Sequence, residues 1–221
     1  CVNRDGGPRN WPPAMYLAYS RVHDGSDGRD PVAAMKVLLD AGADPRFAVD
    51  GTNPSERRFA GGWHWTLLTG VIGEGESGDV QQSPHPKARE MAVMLLDAGA
   101  DPNDSQGLYN CHFTPGTEWL EVLLSYGVDA TAPTNPDDLS EETTLNYQLA
   151  AAVRTGYVDC VRLLLEHGAD ASGRDDRYTN QTYVEDAVAG GYRDILDLLV
   201  EHGAAQPELS SADRFRFGVV A

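Results

Sequence analysis

One short phrase recurs five times along the chain: two apolar residues, two variable ones, a glycine, then Ala or Val followed by an acid. It stands first as Leu38-Leu39-Asp40-Ala41-Gly42-Ala43-Asp44 and again at 95–101, 123–129, 164–170 and 199–205, the last with Val200 and Ala205. The fullest context is the stretch 147–170, which reads as two helices. The first runs through Leu149, Ala152 and Val153 to a stop at Gly156. The second carries Cys160, Val161, Leu164 and Leu165 at i, i+1, i+4 and i+5 and stops at Gly168. Helices of about ten residues do not stand alone in water. Each pair therefore needs neighbours of its own kind, and the recurring phrase supplies them.

This pattern resembles the ankyrin repeat, whose unit of about 33 residues is a turn or hairpin followed by two antiparallel helices. The resemblance implies an all-α ankyrin-repeat solenoid with degenerate hairpins and two long insertions, in one domain over 1–221. Its repeats fall at 11–45, 46–102, 103–130, 131–171 and 172–205, with a C-terminal cap at 206–221. The family's Thr-Pro-Leu-His opening is weakly kept. We place it at Trp65-Thr66-Leu67-Leu68, Gln106-Gly107-Leu108-Tyr109, Tyr147-Gln148-Leu149-Ala150 and Thr182-Tyr183-Val184-Glu185.

The helix-ending glycines Gly42, Gly99, Gly127, Gly168 and Gly203 locate the irregularities. The second repeat is stretched, in 46–62 and in 73–86. The third is compressed at 102–105, which leaves no room for a full hairpin, and its first helix is expected at 108–113. The fourth is lengthened at 132–144, and the fifth predicts a hairpin around Arg174-Asp175-Asp176-Arg177. The first helix is expected from Pro12 to about Val22. Phe215 and Phe217 in the tail are expected to close the last apolar face. Loops 23–31 and 73–86 are expected to lie side by side as an irregular acidic lobe.

Charge excludes some functions. The net charge is −17, from 34 acidic against 17 basic residues, which opposes binding to nucleic-acid backbone or an anionic membrane. It favours a basic protein partner. No apolar run is long enough to span a bilayer. No basic-then-apolar leader is present, and a start at Cys1 rather than Met reads as a truncated or processed chain. Three cysteines in buried-looking slots point to a reducing, cytoplasmic setting. Arginine in place of all but two lysines fits a high-GC bacterial source.

Comparison between copies discounts catalysis. Cys160 shares its slot with Ala34, Met91, Trp119 and Ile195, and Cys111 with Gly70, Ala152 and Ala187, so both cysteines read as core. His167 and His202 stand where other copies have Ala41, Ala98 and Tyr126, as structural residues at helix ends. Asp24, Asp27 and Asp30 do not fit an EF-hand loop. Nothing in the spacing joins His64, His85 and His112. No cofactor or metal is expected.

The aromatic residues carry the functional reading. Trp63 and Trp65 flank His64 before the second repeat's first helix. The expected partner-binding set on a concave face is Trp63, His64, Trp65, Tyr109, Tyr147, Gln148, Asp175, Asp176, Arg177, Tyr178 and Tyr183. The function read from this is non-catalytic protein binding by a monomer, as inhibitor, immunity protein or scaffold. The alternative is an enzyme or small-molecule binder with its site beside the second-repeat insertion.

Overall fold

The computed structural model describes residues 2–22, 26, 28–50, 64–73, 83–113, 115–132 and 142–217. Its helices are α1 (Pro13–Ala18), α2 (Pro31–Asp40), α3 (Leu67–Ile72), α4 (Ala88–Asp97), α5 (Ser105–Cys111), α6 (Glu118–Ser125), α7 (Thr144–Thr155), α8 (Val158–Glu166), α9 (Tyr183–Gly190), α10 (Arg193–Glu201) and α11 (Ser211–Arg216). Two antiparallel hairpins join them. One pairs β1 (Ala48–Asp50) with β2 (His64–Thr66), and the other pairs β3 (Arg174–Asp175) with β4 (Gln181–Thr182).

Two compact units share these elements. In the unit made of Cys1–Thr114 and Val122–Val128, α3 packs against α1, α4 and α5, while α2 packs against α1 and α4. First helices thus pack on first helices and second helices on second. The same rule holds in the unit made of Pro115–Glu121 and Asp129–Ala221, where α7 meets α8 and α9, and α10 meets α8 and α9.

Hydrogen bonds explain each letter of the recurring phrase. After α8 the Ala169 N–H donates to Leu164 O at 3.1 Å and the Gly168 N–H to Leu165 O at 3.1 Å. This pair of crossed bonds closes a helix when the residue after the C-cap is left-handed. Gly168 has φ +95°, which an L side chain rarely adopts. The same pair recurs at Ala43/Gly42, Ala100/Gly99 and Ala204/Gly203. The acid then turns the chain: the carboxylates of Asp44, Asp101, Asp129 and Asp170 each accept from the backbone N–H two residues on, at 2.8–2.9 Å. The apolar pair fills the core, with Leu95, Leu164 and Leu199 fully buried.

His167 and His202 are structural, their ring Nδ1 atoms lying 2.8 and 2.9 Å from Leu163 O and Leu198 O. Cys111 and Cys160 are buried free thiols. Burial, then Asp159, pushes the Cys160 thiol pKa up, the opposite of an activated nucleophile.

Several sequence expectations are corrected. The first helix ends at Ala18, not near Val22. Beyond it, the Arg21 guanidinium gathers the carbonyls of Ala18, Gly70, Gly73 and Ser83 at 2.7–3.1 Å and ties the ends of α1 and α3 together. The opening motif is out of register in three of its four copies and in register at Thr182. The N-caps are Thr66, Asp104, Thr143 and Thr182, so α5 and α7 begin earlier than 108 and 147. In the tail, α11 buries no residue and Phe215 is 80% exposed. The tail is held instead by Arg216, which donates to Val188 O and Ala189 O at 3.1 and 3.2 Å. Among the described residues no strand lies between α4 and α5. Residues 23–25 and 27 of the first loop and 74–82 of the second lie outside the described residues.

His85 yields a prediction about pH. It is buried, and its Nδ1 accepts the Lys87 N–H at 3.1 Å. A second proton would break that bond and place a cation beside Arg21. Burial first, then Arg21, holds the His85 pKa down to about 4. The unfolded value is about 6.5, so this group's contribution is complete above that pH and is lost as pH falls toward 4. Thermal melts of the parent should fall between pH 6.5 and 4 more steeply than those of His85→Gln. Parallel curves would remove His85 as the cause.

Candidate protein-binding hairpin

Asp175 organises the β3–β4 hairpin. It is 1% exposed. Its Oδ1 accepts the Tyr178 N–H at 2.9 Å, its Oδ2 takes the Arg154 guanidinium, and its carbonyl accepts the Asn180 N–H at 2.7 Å. Asn180 sits at φ +54°, a conformation asparagine tolerates better than most residues. Thr182 and Glu185 then form a capping box that starts α9. The turn is thereby fixed before any partner arrives.

Arginine and aromatic side chains alternate over this turn. The Arg154 guanidinium lies 4.4 Å from the Tyr178 ring centroid, and Tyr178 is 58% exposed. The Arg177 guanidinium lies 5.1 Å from the Tyr147 ring and 3.7 Å from the Glu142 carboxylate. Arg174 pairs with Asp176 at 2.7 Å and donates to Asn180 O at 2.7 Å. Each arginine here has a carboxylate partner, so the local charge is balanced. Thr179 donates to Asp186 at 2.8 Å, and burial raises the Asp186 pKa.

The expected binding set divides on burial. Trp65, Asp176, Arg177 and Tyr178 are exposed, and Tyr109 is half-buried. Tyr147, Gln148, Asp175 and Tyr183 are buried, and for these the expected surface role is corrected. Tyr147 lies inside α7 because that helix starts at Thr144. Tyr183 is the first residue of α9. Its ring lies over Gly173, where a Cβ would stand 2.6 Å away, and its hydroxyl donates to Asn146 O at 3.1 Å. Asp175 is a hairpin organiser, not a steering charge. Trp63 and the His64 side chain lie outside the described residues.

Sequence reasoning missed the aromatic neighbours of Trp65. The Trp11 and Tyr19 ring centroids are 5.3 Å apart, and Tyr19 stacks on Trp65 at 6.0 Å with planes 13° apart. Gly70 makes room for Tyr19, since a Cβ there would stand 2.3 Å from its ring. The signal was the spacing of Trp11, Tyr16 and Tyr19 around one short helix.

A family model described as ankyrin repeats matches residues 108–210 in three copies. The chain carries ankyrin repeats over those residues. Its fold is similar to an ankyrin repeat domain from Acinetobacter baumannii AYE, with TM-score 0.61 and 19% identity over 92% of this chain and 87% of that one. It is also similar to the E3 ubiquitin-protein ligase KEG of Arabidopsis thaliana, 29% identical over 114 residues. That match takes in 49% of this chain and only 6% of the ligase. Ankyrin repeats are in general protein-interaction modules, and the fold is typically non-catalytic. No helix among the described residues is long and apolar enough to cross a membrane.

Proposed function

We propose that this chain is a monomeric, cytoplasmic, non-catalytic module that binds a basic protein and uses the fifth-repeat hairpin as a contact point. The observation that carries this reading is Tyr178, exposed yet clamped by Arg154 over a turn that Asp175 has already fixed. An aromatic side chain held in place loses little entropy on binding, which is what makes tyrosine an interface anchor. The net charge of −17 supports a basic partner. Because the hairpin charges balance, steering arises from the rest of the surface, and association should slow as salt rises. The role as inhibitor, immunity protein or scaffold follows from the partner. The small-molecule alternative rests on 51–63 and 74–82, outside the described residues.

The test is affinity capture with the immobilised chain, mass spectrometry of the captured protein, then binding kinetics. Tyr178→Ala should weaken binding by more than about 1 kcal/mol, as anchor residues do, with Tyr178→Phe retaining most of it. Parent-like binding by a folded Tyr178→Ala would remove the hairpin from the interface.

A further inference from the structure

Among the described residues four aromatic rings are covered by arginines of the same chain: Trp11 by Arg9 at 5.0 Å, Tyr178 by Arg154, Tyr147 by Arg177, and Phe217 by Arg193 at 6.0 Å. Trp65 is the exception among the described exposed aromatics of the two hairpins. One face is stacked on Tyr19, the residue is 36% exposed, and among the described residues no cation lies over it. Arg9, Trp11, Tyr19 and Trp65 therefore form a row of π contacts that begins with a guanidinium and ends on a bare indole.

We infer that the open face of Trp65 receives an arginine side chain from a protein partner. Tryptophan is the strongest aromatic acceptor of a cation, and the planar guanidinium stacks where an ammonium only points. The ring is positioned in advance. Strand pairing sets Trp65 opposite Val49, and the Tyr19 hydroxyl, donating to Thr66 O at 3.1 Å, fixes the ring beneath it. The net charge of −17 draws in a cationic segment. Phe215, though more exposed, belongs to a six-residue helix with nothing buried and is not held in this way. The inference rests on the protein-binding reading only for the source of the arginine; the site itself is tested without a partner.

The experiment titrates the intact protein with the peptide Gly-Arg-Gly-Arg-Gly and with its citrulline counterpart, which keeps the shape and removes the charge. The indole N–H resonances are followed, with Trp65 assigned from Trp65→Phe. The arginine peptide should shift the Trp65 signal saturably and the citrulline peptide should not. Trp65→Leu should weaken the peptide roughly two- to fivefold, the size of an exposed cation–π contact, and Trp65→Phe should restore part of that. Equal shifts with citrulline, no shift at millimolar peptide, or affinity unaffected by Trp65→Leu would each overturn the assignment. None of these outcomes bears on Tyr178, whose test uses the captured partner, so the two readings fail separately.

Discussion

Leu164→Ala lowers the unfolding free energy by about 2–5 kcal/mol, the range for a fully buried leucine truncated in a core that relaxes only in part. Leu164 is 0% exposed on α8, a helix packed against both α7 and α10. Its carbonyl also accepts the Ala169 N–H that closes the helix, a bond the substitution leaves in place. The loss is therefore of packing, and it should appear as a lower denaturant midpoint with an unchanged slope. The slot sets a gradient. Leu95, Leu123 and Leu199 are as buried as Leu164, while Leu38 in the first repeat is only half-buried. Leu38→Ala should cost less than Leu164→Ala in the same urea titration. An unchanged midpoint for Leu164→Ala, or a larger loss at Leu38, would contradict the shared-slot assignment.

The second helices were legible because every residue of their ending is fixed by a local rule. The glycine needs positive φ, the apolar pair needs the core, and the acid needs the N–H two residues ahead. The first helices were less legible because their starts are set by capping side chains whose identity varies. The fourth repeat's opening is placed at Tyr147, but Thr143 caps α7, which starts at Thr144. That shift moved Tyr147 and Gln148 from an expected surface into the core. The aromatic signal was real but ambiguous, since a tyrosine fills space beside glycine as readily as it meets a partner. Tyr183 over Gly173 and Tyr19 over Gly70 show the first use, and Tyr178 and Trp65 remain exposed. The hairpin at 174–182 was legible from its turn residues, yet the burial of Asp175 beneath Arg154 was not, because Arg154 lies on a different element.

The largest polar effect is expected at Asp104, the N-cap of α5. It is buried, and it accepts from the Gln106 and Gly107 N–H groups at 3.1 and 2.9 Å, from the Thr69 hydroxyl at 3.0 Å, and from the Thr66 hydroxyl. Thr66 in turn caps α3, so one carboxylate joins the starts of two stacked helices. Asp104→Ala removes a cap, worth about 0.5–2 kcal/mol, and strands hydroxyls that cost roughly 1–3 kcal/mol when buried without a partner. Relief of the buried charge offsets part of this, so a net loss of about 2–4 kcal/mol is expected. Asp104→Asn keeps an acceptor for the two N–H groups and should lose less. The pH dependence has a definite sign. Burial raises the Asp104 pKa above the ordinary carboxylate value, against the opposing hydrogen bonds from Thr66, Gly107, Thr69 and Gln106. A raised folded pKa means that the native state binds the proton more tightly. This group's contribution is then fully present below the ordinary aspartate pKa and declines as pH rises through the folded value. The deficit of Asp104→Asn relative to the parent should accordingly shrink as pH increases. Urea titrations of both variants at pH 4.5 and pH 7 measure it, and a deficit that grows with pH would show that the carboxylate is stabilised, not penalised, where it lies.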